Sequence, residues 1–367
     1  MRVALVIERF EALGGVEGVA WQVAHGLAAA GDEVHVVART AAPCKGIHLH
    51  VVRVPSLWQP WRVMAFSDAA ARVAPRGAFD VVHSFSRTRH QDLFRAGGGS
   101  HADYMERRYS GFGLAWRRLS PRHRVLLAIE RQVFGDASQT ILCNSKMVRS
   151  ELARRYAIPD ARLAVLYNGV DLERFHPTRH ATEGAALRAE LAPSAAPVWL
   201  FLGSGFRRKG LDTALRALAG AAGDAVLWVA GSDDPKPWRE LGDTLGVGAR
   251  VRWLGGARDA AALCAAADAL ILPTRYDAFA NVCLEAAAAG LPVVTSARNG
   301  AAEILGDGGI IVRDAGDDVG FAQALERLLD PAERHTRGAA ARAVAEHYGW
   351  PQHITALRAL YTRIARR

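Results

Sequence analysis

The chain has 367 residues, half of them apolar and 23% charged, which is too long for one ordinary hydrophobic core and suits two globular domains. Its formal charge of +9 is unevenly placed: residues 1–180 hold 25 Lys+Arg and 16 Asp+Glu, and residues 181–367 hold 21 of each. Four scattered cysteines (Cys44, Cys143, Cys264, Cys283) argue against a disulfide framework or a cysteine-based zinc site, and an apolar opening run of residues 3–7 is too short for a signal-peptide core or a membrane span.

In chain order, the first half reads as strands at 2–7, 33–38, 48–54, 79–83, 139–143 and 163–167, with helices near 15–30, 62–74, 121–134 and 145–156. Ser120-Pro121 forms an N-cap and first-position pair for one of these helices, and Gly135 closes it. Strand one runs into a loop carrying Gly14 and Gly15 and then a helix, where backbone amides and the helix dipole favour an anion. An ordinary tight turn has the same signature. The loop is not GxGxxG, which counts against a dinucleotide dehydrogenase.

Residues 87–131 hold ten arginines against Asp92, Asp103, Glu106 and Glu130, and Tyr104, Tyr109, Phe112 and Trp116 lie among them. Such a field attracts nucleic acid, anionic lipid or a phosphorylated sugar. A solvated arginine face is the bland alternative.

The second half alternates more cleanly, with strands near 198–203, 225–230, 250–254, 269–273, 292–296 and 309–312, each followed by a helix. This regularity means a parallel, doubly wound sheet, so the fold class is α/β with two Rossmann-like domains joined near 168–190. Ligands of such sheets sit at the carboxyl ends of the strands, and two facing sheets make a cleft. The last segment, from 350 to 367, has a helical apolar stripe at Ile354, Leu357, Leu360, Tyr361 and Ile364.

Three loops of the second half carry chemistry. Ser204, Arg207, Arg208 and Lys209 follow the first strand, where two arginines and a lysine suit a diphosphate, a solvated basic turn being the alternative. Residues 295–303, with Asn299 and Gly300, end a later strand and offer amides to a sugar or phosphate. Between them lie Asp277 and Glu285, the latter among alanines where an unpaired carboxylate is costly. On a helix over 278–290 their eight-residue spacing spans about 12 Å, the reach from ribose to hexose in a nucleotide-sugar. Taken singly, Asp277 reads as an N-cap and Glu285 as a structural carboxylate.

These stretches together resemble glycosyltransferase family 4, of GT-B architecture. In the second half the resemblance rests on Gly203, Lys209-Gly210, Leu272-Pro273-Thr274, Asp277, Glu285-Ala286, Ala289-Gly290-Leu291-Pro292-Val293-Val294, Asn299-Gly300 and Glu303. In the first half it rests on Gly14-Gly15, Asp80-Val81-Val82-His83, Cys143-Asn144-Ser145, Tyr167-Asn168-Gly169-Val170-Asp171, Phe175 and Pro177. The phosphate loop, Gly203-Ser204-x-Phe206-x-Arg208-Lys209-Gly210, is most similar to lipopolysaccharide core glucosyltransferases acting on inner-core heptose.

The resemblance implies an acceptor-binding domain over 1–175, completed by a C-terminal helix in 350–367, and a donor-binding domain over 176–349. It implies that Arg208 and Lys209 bind the diphosphate, Asp277 the sugar hydroxyls and Glu285 the ribose. Gly14, Gly15, Ser204, Ala278, Phe279, Ala280, Asn281, Val282, Asn299 and Gly300 complete the donor site. His101, with Asp103 as its rival, falls where the family places a residue facing the donor sugar. Family members more often carry Glu at the position of Asp277, and many carry Arg at that of Ser204, a charge that the resemblance assigns to Arg208 here.

The implied reaction is retaining transfer of a hexose, UDP-glucose or related, to a lipopolysaccharide core or similar phosphorylated glycolipid. The nucleotide-sugar is a substrate, and no cofactor or metal is expected, since no Asp-x-Asp pair stands in a suitable loop. The implied location is cytoplasmic, peripheral on the cytoplasmic face of the inner membrane, with an anionic membrane surface as partner and no nucleic acid. The alternatives are a nucleotide-sugar epimerase of the same layout, or a glycosyltransferase for another cell-envelope polysaccharide.

Overall fold

The computed structural model describes residues 1–366 apart from 13, 56–57, 192–195, 257–258 and the side chain of Arg108. The chain divides into two compact units. The first comprises Met1–Gly169 with Trp350–Arg367, and the second Val170–Gly349. Residues 170–175, expected at the end of the first domain, fall in the second unit. The amide of Val170 donates to Tyr348 O there, and Arg342 donates to the carbonyls of Leu172 and Phe175.

The first unit is built on a seven-stranded parallel sheet in the order β3-β2-β1-β4-β5-β6-β7. Its strands are β1 (Arg2–Phe10), β2 (Glu33–Ala41), β3 (His48–Val51), β4 (Val81–Ser84), β5 (Leu93–Arg95), β6 (Thr140–Cys143) and β7 (Leu163–Val165). β1, β4 and β6 are buried on both faces, so they read as continuous apolar runs rather than alternating ones. The C-terminal helix Trp350–Ala365 packs Ile354, Leu357, Leu360 and Tyr361 into this core. It lies so close to the helix Val16–Ala29 that a Cβ on Gly26 would meet Ile354 Cγ1 at 2.5 Å.

The helix Pro121–Gly135 starts at Ser120 as expected, with Pro121 at its first position, although the Ser120 side chain makes no capping hydrogen bond. Two further helices, His101–Arg108 and Gly111–Leu119, occupy the arginine-rich stretch that the sequence pattern left without elements.

The second unit has a six-stranded parallel sheet, β10-β9-β8-β11-β12-β13. These strands are β8 (Val198–Leu202), β9 (Val226–Ala230), β10 (Val251–Gly255), β11 (Ala269–Leu272), β12 (Val293–Ser296) and β13 (Gly309–Val312). β12 is followed by 3-10 turns instead of the expected α-helix, Gly300–Glu303 and Gly306–Gly308. Because β9, β8, β11 and β12 are neighbours, the loops at their carboxyl ends lie side by side.

Candidate active site

Four loops of the second unit converge at those strand ends. After β8 the chain turns through Gly203 and Gly205, at φ +125° and +85°, into the short helix Phe206–Lys209, and then turns again at Gly210 with φ +76°. Glycine is required at 210 for a second reason: a Cβ there would overlap the carbonyl oxygen of Pro273 in the β11 loop. The β9 loop braces the turn, since Ser232 N donates to Ser204 Oγ at 3.0 Å and Asp233 accepts from Gly205 N at 2.6 Å.

Asp277 is the centre of the group. Its Oδ2 accepts from Arg208 Nη1 at 2.8 Å and pairs with Lys209 Nζ at 3.4 Å. Among the described residues no protein group donates to Oδ1. Burial pushes the Asp277 carboxyl upward, but Lys209 and Arg208 together outweigh it and hold the group below its ordinary value. It is therefore a charged acceptor with one oxygen to spare. Lys209 is buried and lies over the Gly203 backbone, its Cε 2.9 Å from where a Cβ on residue 203 would stand.

Asp277 does not cap a helix, and the helix does not run over 278–290. The element is Asn281–Ala288, with Ala280 at its N-cap. Asp277 lies in a bridge with Asn299, where its amide donates to Arg298 O at 3.0 Å and its carbonyl accepts from Gly300 N at 2.9 Å. The β11 and β12 loops are thus zipped together.

This zip reassigns Asn299. Its Oδ1 accepts from the amides of Ala280 and Ala301, and its Nδ2 donates to Thr295 Oγ1 and Cys283 Sγ. Every polar atom of the side chain is used inside the protein, so Asn299 positions the Asp277 loop. The amides of Gly300, Ala301 and Ala302 are also taken by Asp277 O, Asn299 Oδ1 and Asn299 O. The expectation that these amides bind sugar or phosphate is corrected accordingly. Ala278, Phe279, Ala280 and Val282 are buried side chains, which leaves only their backbone to a ligand, and Ala280 N is already committed to Asn299.

Glu285 sits on the helix Asn281–Ala288, half-buried between Leu284 and Ala286. No hydrogen-bond donor reaches its carboxyl among the described residues. Burial raises its pKa to about 7 against the weaker pull of Arg174 and Lys209. A carboxyl desolvated without a donor is poised for one from a ligand.

In the first unit, Gly14 adopts φ +103° and a Cβ on Gly15 would meet open space at the start of the helix Val16–Ala29. Glu17, in the first turn of that helix, pairs with Arg9 at 2.8 Å.

His101 and Asp103 are both engaged within the unit. His101 is buried at the first position of its helix, its amide donates to Glu130, and its Nε2 lies 2.9 Å from His123 Nδ1. Burial first, then Arg87, His123 and Arg122, lower its pKa to about 3, so it is a neutral imidazole. Asp103 is paired with Arg155 at 2.7 Å, which ties its helix to Lys146–Tyr156.

Sequence reasoning missed Arg95. Expected on a basic surface, it is the buried last residue of β5, donating through Nη2 to Asn168 while Nε and Nη1 have no hydrogen-bond partner among the described residues. Burial lowers its pKa to about 10. Beside it is a cavity of about 230 Å³ lined by Val16, Phe85, Arg87 and the glycines Gly97, Gly98 and Gly99. The one available signal was the triple glycine just after an arginine-ended strand.

The arginine-rich face is accordingly narrower than its composition implies. Arg89 pairs with Asp68, Arg107 with Glu151 and the exposed Arg118 with Glu106 at 2.9 Å, while Arg117, Arg122, Arg124 and Arg131 are exposed. Arg108 was counted with them, but its side chain lies outside the described residues.

Comparison with known proteins agrees with this arrangement. Residues 13–174 match the model described as Glycosyltransferase Family 4, and residues 196–331 match Glycosyl transferases group 1. The lipopolysaccharide glucosyltransferase WaaG of Escherichia coli K12 is 28% identical over 84% of this chain and 83% of its own. The D-inositol 3-phosphate glycosyltransferase of Salinispora tropica is 30% identical over 95% of this chain and 80% of its own. The crystal structure of WaaG, a glycosyltransferase involved in lipopolysaccharide biosynthesis, superposes with a TM-score of 0.84 at 25% identity, covering 98% of this chain and 99% of that one. These matches set the epimerase reading aside. The chain belongs to glycosyltransferase family 4, has the GT-B fold, and is a hexosyltransferase.

Proposed function

We propose that the protein transfers a hexose from a nucleotide-diphosphate sugar, UDP-glucose foremost, to a lipopolysaccharide core or similar phosphorylated glycolipid, retaining the donor's anomeric configuration without a metal. The observation that carries this reading is the Asp277 group: one carboxylate kept charged by Arg208 and Lys209, with its other oxygen unclaimed. Asp277 Oδ1 accepts a sugar hydroxyl, Glu285 accepts from the ribose hydroxyls, and Arg208 and Lys209, held on Asp277 Oδ2, donate their remaining N–H groups to the diphosphate oxygens. As the glycosidic bond breaks, charge collects on the leaving diphosphate and an oxocarbenium-like centre forms, and fixed cations already in place stabilise the former. A phosphate oxygen takes the acceptor's proton, so no side-chain nucleophile is required.

The acceptor reading is supported by the Escherichia coli relative's description as a lipopolysaccharide glucosyltransferase and by the buried Arg95 and half-buried Arg87 beside a cavity, which suit an anionic group. A panel of UDP-glucose, UDP-galactose, UDP-N-acetylglucosamine, GDP-mannose and ADP-heptose tests the donor by thermal shift and slow hydrolysis. UDP-glucose is expected to give the largest shift. A response confined to GDP-mannose or ADP-heptose contradicts the assignment.

The membrane reading rests on the helix Gly111–Leu119, which buries none of its residues and exposes Phe112 (84%), Trp116 (66%) and Leu119 (67%) next to Arg117 and Arg118. Apolar and aromatic groups beside arginine suit an anionic headgroup layer at the cytoplasmic face of the inner membrane, where each basic side chain contributes about 1 kcal/mol. No described helix is long and apolar enough to cross a membrane. The protein is expected to sediment with anionic vesicles, less with zwitterionic ones, and to release as salt rises. Phe112→Ser/Trp116→Ser with Arg117→Gln/Arg118→Gln should abolish sedimentation. Equal, salt-insensitive binding to both vesicle types counts against the proposal.

A further inference from the structure

The edge of the first unit's sheet carries a cluster that the transfer reaction does not use. β3 is the edge strand, and its register with β2 sets His48 opposite His35 and His50 opposite Val37. Side chains two apart on a strand share a face, so Glu33, His35, His48 and His50 all project from one side of the sheet. His35 is buried at the centre, with Nε2 2.8 Å from Glu33 Oε1 and Nδ1 2.9 Å from His50 Nε2. The His48 ring stacks on it at 4.6 Å between centroids. One donor atom from each of Glu33, His35 and His48 lies within 4.8 Å of the other two.

We propose that Glu33, His35 and His48 form a binding site for a divalent transition-metal cation, zinc in the first instance, with His50 orienting His35. Two imidazoles and one carboxylate with a fourth position for water are a known zinc donor set, with metal–ligand distances of about 2.0–2.2 Å. The donors reach that range by rotation of the exposed Glu33 and His48 side chains about the fixed His35. Zinc-ligating histidines hydrogen-bond through their second nitrogen, and here His35 Nδ1 faces His50 Nε2. With the cation on the Nε2 lone pair, His35 keeps its single proton on Nδ1 and donates it to His50 Nε2, His50 carrying its own proton on Nδ1, while the Glu33 carboxylate ligates in place of its hydrogen bond to His35.

Glu33 also accepts from Arg2 Nε at 3.2 Å through the same Oε1, which leaves Oε2 without a protein partner among the described residues. Arg2 offsets the carboxylate's charge, so binding depends on neutral nitrogen donors. That selects zinc, nickel or copper over magnesium or calcium. The site would fasten the four-residue edge strand β3 to β2, independently of the sugar chemistry. No short sequence motif announces it, because the ligands come from two strands separated by a loop and meet only through the sheet register.

Untagged full-length protein titrated with zinc by calorimetry, and with cobalt by visible absorption, tests the site. One equivalent is expected to bind, cobalt giving the d–d bands of a nitrogen-and-oxygen site, with a rise in melting temperature that magnesium does not reproduce. His48→Ala/Glu33→Gln, both at exposed positions, should abolish the stoichiometric binding and the bands, and His50→Ala should weaken affinity by about 10–100-fold. Absence of stoichiometric binding by the wild type, or binding unchanged in His48→Ala/Glu33→Gln, overturns the proposal.

Discussion

Glu285→Gln is expected to weaken nucleotide-sugar binding while making the ligand-free protein more heat-stable above pH 7. Both effects follow from one desolvated carboxyl without a hydrogen-bond donor. Replacing a charged acceptor of ribose hydroxyls with a neutral amide should cost about 1.5–3 kcal/mol, or roughly 10- to 150-fold in Kd. The stability effect has the opposite sign. Burial raises the folded-state pKa to about 7 from the ordinary 4.5, so between those values the folded protein keeps a proton that the unfolded chain has released. Stability therefore falls as pH rises through that window. Glutamine carries no such penalty, so the variant's advantage in melting temperature should be largest at pH 8 and small near pH 5.

Donor binding to the wild type should also release protons near pH 7, because ribose hydroxyls favour the charged carboxylate. Calorimetry in two buffers of different ionisation enthalpy measures that release, and it should vanish in Glu285→Gln. Unchanged donor affinity together with unchanged proton release in the variant would remove Glu285 from the site.

The carboxylate pair was legible in the sequence because Glu285 stands among alanines, where charge is conspicuous. Its neighbours' roles were less so. Asn299 follows a strand, as a ligand-binding residue does, yet all four of its hydrogen bonds turn inward to hold the Asp277 loop. Nothing in a linear pattern distinguishes a residue that touches a ligand from one that positions the residue that does.

The second-unit strands were readable to within one residue at each end because buried parallel strands are short, uninterrupted apolar runs bounded by polar turns. β5 escaped because it is three residues long and ends in a buried arginine. The helices His101–Arg108 and Gly111–Leu119 escaped for another reason: glycine and arginine interrupt any apolar stripe, and the second of them buries nothing.

Lys209→Met should lower turnover by about 10²–10³-fold with little change in KM, the loss seen when one preorganised transition-state charge partner is removed. Methionine is the appropriate replacement. The lysine side chain is 9% exposed and packed over the Gly203 backbone, so alanine would open a cavity where methionine fills much the same space and removes only the charge. Arginine should not rescue activity, because that packing leaves no room for a guanidinium. Asp277 supplies a second readout. The Lys209 charge is the strongest single influence lowering the Asp277 carboxyl, so Lys209→Met should move the acid limb of the rate profile to higher pH. A purely structural role for Lys209 would lower the amount of folded enzyme and leave that limb in place. The same preparation tests the metal-free chemistry. If Arg208 and Lys209 stabilise the departing diphosphate, wild-type transfer persists in excess chelator, and added magnesium or manganese does not restore Lys209→Met. Transfer abolished by chelator and restored by either cation would show that these two side chains do not carry that charge.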